Sequence, residues 1–203
     1  MVNYSVQGLA QSCLALVDAL QVSKVTLVGQ GLGAMVALEA ALRDPARIKR
    51  LLLCAGGPPL DEVSSAAWVA PRLAALEDGL SMEQIAERIV PMQTGRKAIP
   101  EGLRLIHRAM GEVHPLVYRH VLEALPRYQR TAAALRQVLA PTLLICGAQD
   151  PCTPPEAFEA LAQVLPDASV TTLPGIGHWP QLEAPDDFDG LLLDFLQRER
   201  KLH

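Results

Sequence analysis

The sequence predicts an α/β protein: a parallel sheet of about four strands with flanking helices and a helical insertion. Two observations lead to this prediction. Strand-like and helical segments alternate near both ends of the chain, and a glycine-rich turn follows the first strand-like run. Strand, helix and strand in that order form a βαβ unit, whose strands lie parallel and are joined by a right-handed crossover. The 203 residues suffice for one hydrophobic core of ordinary size.

The first part of the chain has the pattern helix, strand, helix, strand. Ser5 precedes an apolar stripe with helical spacing, so it is predicted to cap a helix. The β-branched run 24–28 predicts the first strand. A second helix is expected from Leu32 to about Arg43, and Ile48–Cys54 predicts the second strand.

The strand pattern returns after residue 140. Thr142–Cys146 and Ser169–Leu173 predict the third and fourth strands. Between them, Thr153 and Glu156 have the spacing of a capping box at the start of a helix. An amphipathic helix over 186–197 closes the chain.

Residues 60–139 have a different pattern. Helical segments at 71–76, 81–89 and 116–125 are separated by proline, glycine and charged residues, and the stretch contains no convincing strand. We therefore expect residues 1–59 and 140–203 to form the core and residues 60–139 to form a helical cap over the sheet.

Composition excludes several classes of function. The net charge is −4 and the basic residues are scattered, so we expect no nucleic-acid partner. No apolar run is long enough to span a bilayer, and no signal peptide is recognised, so a cytoplasmic location without membrane contact is expected. The four cysteines have no metal or disulfide spacing, and the histidines at 107, 114 and 120 lack further ligands nearby. We expect no metal and no cofactor.

The turn Gly29-Gln30-Gly31-Leu32-Gly33 lies between the first strand and the second helix. Such a turn can cradle the phosphates of a dinucleotide, and Gly29, Gly31 and Ala34 fit the looser form of that fingerprint. However, no acidic residue ends the next strand, where Cys54-Ala55 stands instead. The turn can also be a nucleophile elbow, whose middle residue attacks a substrate.

Two later turns carry an acid and a histidine. Gly147-Ala148-Gln149-Asp150 follows the third strand, and Gly175-Ile176-Gly177-His178 follows the fourth. Taken singly, Asp150 before Pro151 reads as a turn residue and His178 as a loop histidine bonded to backbone.

Taken together and in this order, the three turns resemble those of the α/β-hydrolase fold family, in particular its capped esterases, lactonases and carbon–carbon bond hydrolases. The resemblance covers nearly the whole chain. It implies a nucleophile position at Gly31, a catalytic pair of Asp150 and His178, and an oxyanion donor in the backbone N–H of Leu32. It also suggests Gln30 and Trp179 as substrate contacts. Four residues of the cap are further candidates for the pocket wall: Trp68, Met92, Met110 and Tyr118.

The sequence departs from that family in two places. Gly31 has no side chain, so no covalent intermediate can form there, although glycine easily adopts the φ > 0 geometry of an elbow. In addition, the family has several strands, and a loop with a second oxyanion donor, before the helix that here begins near Ser5. The chain is therefore expected to correspond to the C-terminal part of a hydrolase.

Three hypotheses on function follow. The first is a hydrolase-family protein that is inactive or strongly impaired but binds a small apolar carbonyl compound. The second is a reduced enzyme in which the pair of Asp150 and His178 activates water or an acidic C–H. The third is a non-catalytic interaction scaffold. The strand at Lys24–Val28 is expected to form an open edge, which favours self-association or pairing with a second chain.

Overall fold

The computed structural model describes residues 3–57 and 62–197, and it contains a four-stranded parallel sheet. The spatial order of the strands follows their order in the chain. They are β1 (Val25–Gln30), β2 (Ile48–Cys54), β3 (Thr142–Gly147) and β4 (Ala168–Leu173). The predicted α/β class with a parallel sheet of four strands is confirmed, and each strand begins or ends within two residues of its predicted bounds.

Ten α-helices surround this sheet in the described part of the chain. Before β2 lie α1 (Val6–Ala19) and α2 (Leu32–Arg43). Between β2 and β3 lie α3 (Glu62–Glu77), α4 (Met82–Gln93), α5 (Pro100–Gly111), α6 (Pro115–Ala124) and α7 (Ala132–Leu135). After β3 follow α8 (Pro155–Val164), α9 (Pro180–Glu183) and α10 (Pro185–Gln197). We refer to α3–α7 as the helical insertion; no described residue in it belongs to a strand.

The N-termini of α1 and α8 test the two helix caps that the sequence predicts. The hydroxyl of Ser5 accepts a hydrogen bond from the backbone N–H of Gly8, as its position predicts. The capping box of Thr153 and Glu156 is wrong: Pro154 is the N-cap of α8 and makes no side-chain cap bond. Pro155 occupies the first helical position, where the fixed φ of proline is favourable, so the helix begins later than the box requires.

The hydrophobic core lies on both faces of β2 and β3, whose side chains alternate between two clusters. Leu51 and Leu53 pack with residues of α2 and α8 on one face. Leu52 and Ile145 pack with Phe188 and other residues of the other face. This alternation follows from the two-residue period of a strand, and it fixes the direction in which the residues after each strand project.

Strand β1 lies at one edge of the described sheet. Its pairing with β2 is irregular between Val25 and Thr26, and Val28 is 51% exposed. In the described ranges, no helix is long and apolar enough to cross a membrane.

Candidate active site

The turn between β1 and α2 has the geometry of a sharp strand-to-helix elbow with glycine at its centre. Gly31 has φ 54° and ψ −117°, and its N–H donates to the carbonyl of Cys54 at 2.9 Å. A β-carbon on Gly29 would lie 2.2 Å from the carbonyl oxygen of Gly33, so the turn closes too tightly for any other residue at position 29. The backbone thus keeps a strained conformation that glycine adopts at little cost.

The structure brings His178 and Asp150 together beside this elbow. Nδ1 of His178 lies 3.0 Å from Oδ2 of Asp150, whose carboxyl group is fully buried. The other oxygen, Oδ1, accepts the backbone N–H of Cys152 at 2.8 Å. A carboxylate facing Nδ1 holds the neutral imidazole in the tautomer with its proton on Nδ1, which leaves the Nε2 lone pair available.

Nε2 of His178 faces the centre of the elbow. It lies 3.6 Å from the point where a β-carbon on Gly31 would stand, and this is the nearest heavy atom to that point outside the turn. All three residues suggested by the motifs therefore meet, although the middle one has no atom to receive or give a proton. Leu32 begins α2, and the N–H of a first helical residue has no partner within its own helix.

The loop that carries His178 is held by a buried carboxylate that the sequence patterns do not single out. Oε2 of Glu183 accepts the N–H groups of Gly95 and Gly177 at 2.7 and 2.8 Å, and Oε1 accepts that of Trp179 at 3.0 Å. Two of these donors are the chain neighbours of His178. A glycine-rich loop exposes backbone N–H groups that need acceptors, which is the only signal in the sequence for such a role.

Two further hydrogen bonds fix the backbone of His178. Its N–H donates to the carbonyl of Gln93 at the end of α4 at 2.8 Å, and its carbonyl accepts Nε2 of Gln30 at 2.9 Å. Gln30, proposed as a substrate contact, thus positions the histidine loop. The ring of Trp179, the other proposed contact, meets the His178 ring edge-on and packs with α4 and α5 residues such as Val90.

A cavity of about 660 Å³ opens in front of the elbow and is almost entirely apolar. Gly31, Leu32 and His178 line it at the sheet, and the helical insertion and α8 supply most of the remaining wall. Trp68 and Tyr118 contribute to this wall, as suggested by the sequence. Neither Met92, which is 67% exposed, nor Met110, which packs against Ile85 and its neighbours, lies among the described lining residues.

Cys152 connects the cavity wall to the pair of Asp150 and His178, a role that no sequence pattern indicates. Its sulfur accepts hydrogen bonds from Nε1 of Trp68 at 3.0 Å and Nε2 of Gln93 at 2.8 Å, both in the helical insertion. Burial, together with the nearby charge of Asp150, raises the pKa of Cys152 to about 11. The group is therefore an uncharged thiol at neutral pH.

Asp150, Cys152 and His178 are also the residues that could hold a metal ion, because their ligand atoms lie within 4.8 Å of one another. An oxygen, nitrogen and sulfur set of this kind suits zinc. In this structure, however, Asp150 and His178 form a hydrogen-bonded pair and the sulfur of Cys152 accepts two N–H groups. These contacts satisfy the three residues without a metal.

The comparisons with known proteins agree with this geometry. The model of the alpha/beta hydrolase family matches residues 2–190. A 2-hydroxy-6-oxononadienedioate/2-hydroxy-6-oxononatrienedioate hydrolase from Pseudomonas putida is 29% identical over 93% of this chain and 68% of its own length. A pimeloyl-[acyl-carrier protein] methyl ester esterase from Nitrosospira multiformis is 28% identical over 83% of this chain and 67% of its own length.

A solved structure shares the fold closely. The crystal structure of a hydrolase from Pseudomonas aeruginosa PA01 superposes with a TM-score of 0.83 and 28% identity, covering 96% of this chain and 73% of the other. The chain spans about two thirds of the length of the curated relatives it matches. Fold, motif order and family match together lead to one conclusion: the chain belongs to the alpha/beta hydrolase family and is related to its carbon–carbon bond hydrolases and esterases.

Proposed function

We propose that this chain binds a small apolar carbonyl compound in the cavity before Gly31 and that covalent hydrolysis at this elbow is lost. The observation that carries the proposal is the glycine at the centre of an elbow that faces a paired acid and histidine. Asp150 and His178 are paired at 3.0 Å, while the position that Nε2 faces has no side chain. An acyl-enzyme needs a nucleophilic atom at that place.

The cavity supports the binding half of the proposal. Its volume of about 660 Å³ lies in the range of small-molecule sites, which are mostly apolar with few polar groups. The N–H of Leu32, at the first position of α2, is the group that would donate a hydrogen bond to the carbonyl oxygen of the ligand. The name of one curated relative, a methyl ester esterase, also favours a carbonyl compound, whereas the oxo-dienedioate of the other has two carboxylates and gives no support to an apolar ligand.

Two measurements, one of binding and one of turnover, test this proposal. Methyl hexanoate is titrated into the protein by calorimetry, and hydrolysis of p-nitrophenyl acetate is followed at the same protein concentration. We expect saturable binding together with turnover close to the uncatalysed background. Absence of binding, or turnover far above background, would contradict the proposal.

A second function is favoured by the orientation of His178. Nε2 faces the unfilled elbow, so a water held there could lose a proton to Nε2 and attack the carbonyl carbon, while Asp150 stabilises the imidazolium that forms. The imidazolium would then return the proton to the leaving group. Slow ester turnover that disappears in both His178→Ala and Asp150→Asn would favour this mechanism over simple binding.

A further inference from the structure

The residues that line the cavity limit the charge of a ligand as well as its size. Among the described residues that line it, none is Lys, Arg, Asp or Glu. Three of the lining residues can ionise: Tyr118, Cys152 and His178. Tyrosine and cysteine are ordinarily uncharged at neutral pH. Beyond the elbow, the described part of the wall therefore has no charged side chain.

A helix N-terminus is the usual backbone site for an anion, and the start of α8 does reach the cavity through Thr153 and Pro154. Yet Pro154 and Pro155 have no N–H to donate. Glu156 adds a negative charge in the first turn of the same helix. The end of α8 that meets the cavity is thus unsuited to a carboxylate.

Arg72 is a buried cation next to this wall: it hydrogen-bonds to Tyr118, and its charge acts on Tyr118 and Cys152, which both line the cavity. Its guanidinium stacks over the ring of Trp68 at 3.8 Å, and its Nη1 donates to the carbonyl of Trp68 at 2.7 Å. Trp68 is itself fixed by the bond from its Nε1 to the sulfur of Cys152. Arg72 is 9% exposed and is not among the described lining residues.

From these observations we infer that the cavity selects ligands whose part beyond the reacting carbonyl is uncharged, and that it excludes carboxylate-bearing tails. This inference rests on the proposed function, because it concerns the same cavity and the same carbonyl group. A carboxylate in this cavity would lose its hydration without a partner for its charge, which is costly in an apolar environment. An alkyl tail of equal length would only leave water for an apolar wall.

Three esters of matched chain length test the inference. Methyl hexanoate has an alkyl end, monomethyl adipate has a carboxylate at that end, and dimethyl adipate has the same carboxyl group masked as an ester. Calorimetric titrations at pH 7 are expected to give saturable binding of methyl hexanoate and dimethyl adipate. Monomethyl adipate should bind on the order of a hundredfold more weakly than both.

Substitutions in and next to the cavity wall test the origin of the discrimination against charge. Val121 lines the cavity on α6, so Val121→Arg should raise the affinity for monomethyl adipate, while Val121→Met controls for the added length. Arg72→Met should leave the discrimination of the native chain unchanged, because Arg72 is already engaged by Trp68 and Tyr118 and is not among the described lining residues.

The outcomes separate the two proposals. If none of the three esters binds, the proposed function fails. If monomethyl adipate binds as tightly as methyl hexanoate, the proposed function stands and the exclusion of charge is overturned; loss of that binding in Arg72→Met would identify Arg72 as the partner of the anion. If dimethyl adipate is excluded together with monomethyl adipate, the cavity discriminates against polarity rather than charge, which also overturns the inference.

Discussion

His178 stands between a buried carboxylate and a glycine: its Nδ1 lies 3.0 Å from Oδ2 of Asp150, and its Nε2 faces the elbow at Gly31. The histidine ring is therefore oriented by the carboxylate, and the position that Nε2 faces has no side chain. Glycine fits the backbone of this turn because φ is 54°. The backbone of this elbow can therefore hold a glycine at little conformational cost.

Because Gly31 has a positive φ, alanine is expected to destabilise the fold at position 31 but not at position 33. Gly31→Ala should lower the free energy of unfolding by about 1 to 2 kcal/mol, because a non-glycine residue must take φ > 0 there. Gly33→Ala is the matched control: its β-carbon meets no atom within 4 Å and it lies inside α2, so it should be neutral or stabilising. Urea denaturation of both variants checks this, and equal effects would contradict the role of the positive φ.

Glu183 is predicted to be a main support of the histidine loop. Glu183→Gln replaces one acceptor oxygen by an NH₂ group, which then faces backbone N–H groups that need an acceptor. We expect a loss of about 2 to 3 kcal/mol in the free energy of unfolding. Glu101→Gln, an exposed carboxylate on α5, is the control and should change it by less than about 0.5 kcal/mol. A small effect of Glu183→Gln in urea denaturation would show that the loop is held by other contacts.

The sequence predicts most of this architecture because the elements depend on local and periodic signals. The run Ile48–Cys54 is a strand with the bounds predicted, since β-branched and leucine residues fill both faces of a buried parallel strand. The three glycine turns follow strand ends, so their meeting at one edge of the sheet could be anticipated.

What the sequence could not predict depends on tertiary contacts. Helix α5 has only a few apolar residues, and its position depends on the packing of Ile106 against α4 and its neighbours. Cys152 and Glu183 act through partners in the helical insertion, dozens of positions away along the chain. The failed capping box at Thr153 is a local error, because two consecutive prolines move the start of the helix.

The raised pKa of Cys152 predicts a dependence of stability on alkaline pH. The folded chain keeps the thiol protonated up to about pH 11, whereas the unfolded chain loses this proton near pH 9. The contribution of this group is therefore fully present below pH 9 and is lost as the pH rises from 9 towards 11. Urea denaturation at pH 8, 9 and 10 should show a steeper loss for the native chain than for Cys152→Ala. If the free energy of unfolding depends on pH equally in both proteins, the raised pKa of Cys152 is contradicted.

The edge at β1 predicts association in solution. Val28 is half exposed, and β1 pairs with β2 on one side only in the described sheet. We therefore propose that the chain, expressed as given, self-associates through β1 or pairs there with a second polypeptide. Light scattering coupled to size exclusion should detect species larger than 21.9 kDa at micromolar concentration. Thr26→Pro should reduce them by removing a donor from the edge, and a stable monomer of the native chain would contradict the proposal.

The most direct test of the central claim restores the missing atom. Gly31→Ser places a hydroxyl in front of Nε2 of His178. The added β-carbon would lie 3.6 Å from this nitrogen, which is an ordinary van der Waals distance. Incubated with diisopropyl fluorophosphate, this variant should gain one diisopropylphosphoryl group per chain by mass spectrometry, as the serine oxygen displaces fluoride from phosphorus. The native chain and the double variant Gly31→Ser, His178→Ala should remain unmodified at that position. A folded Gly31→Ser variant that stays unlabelled, or that is labelled equally without His178, would contradict the claim that His178 is oriented to activate a nucleophile at position 31.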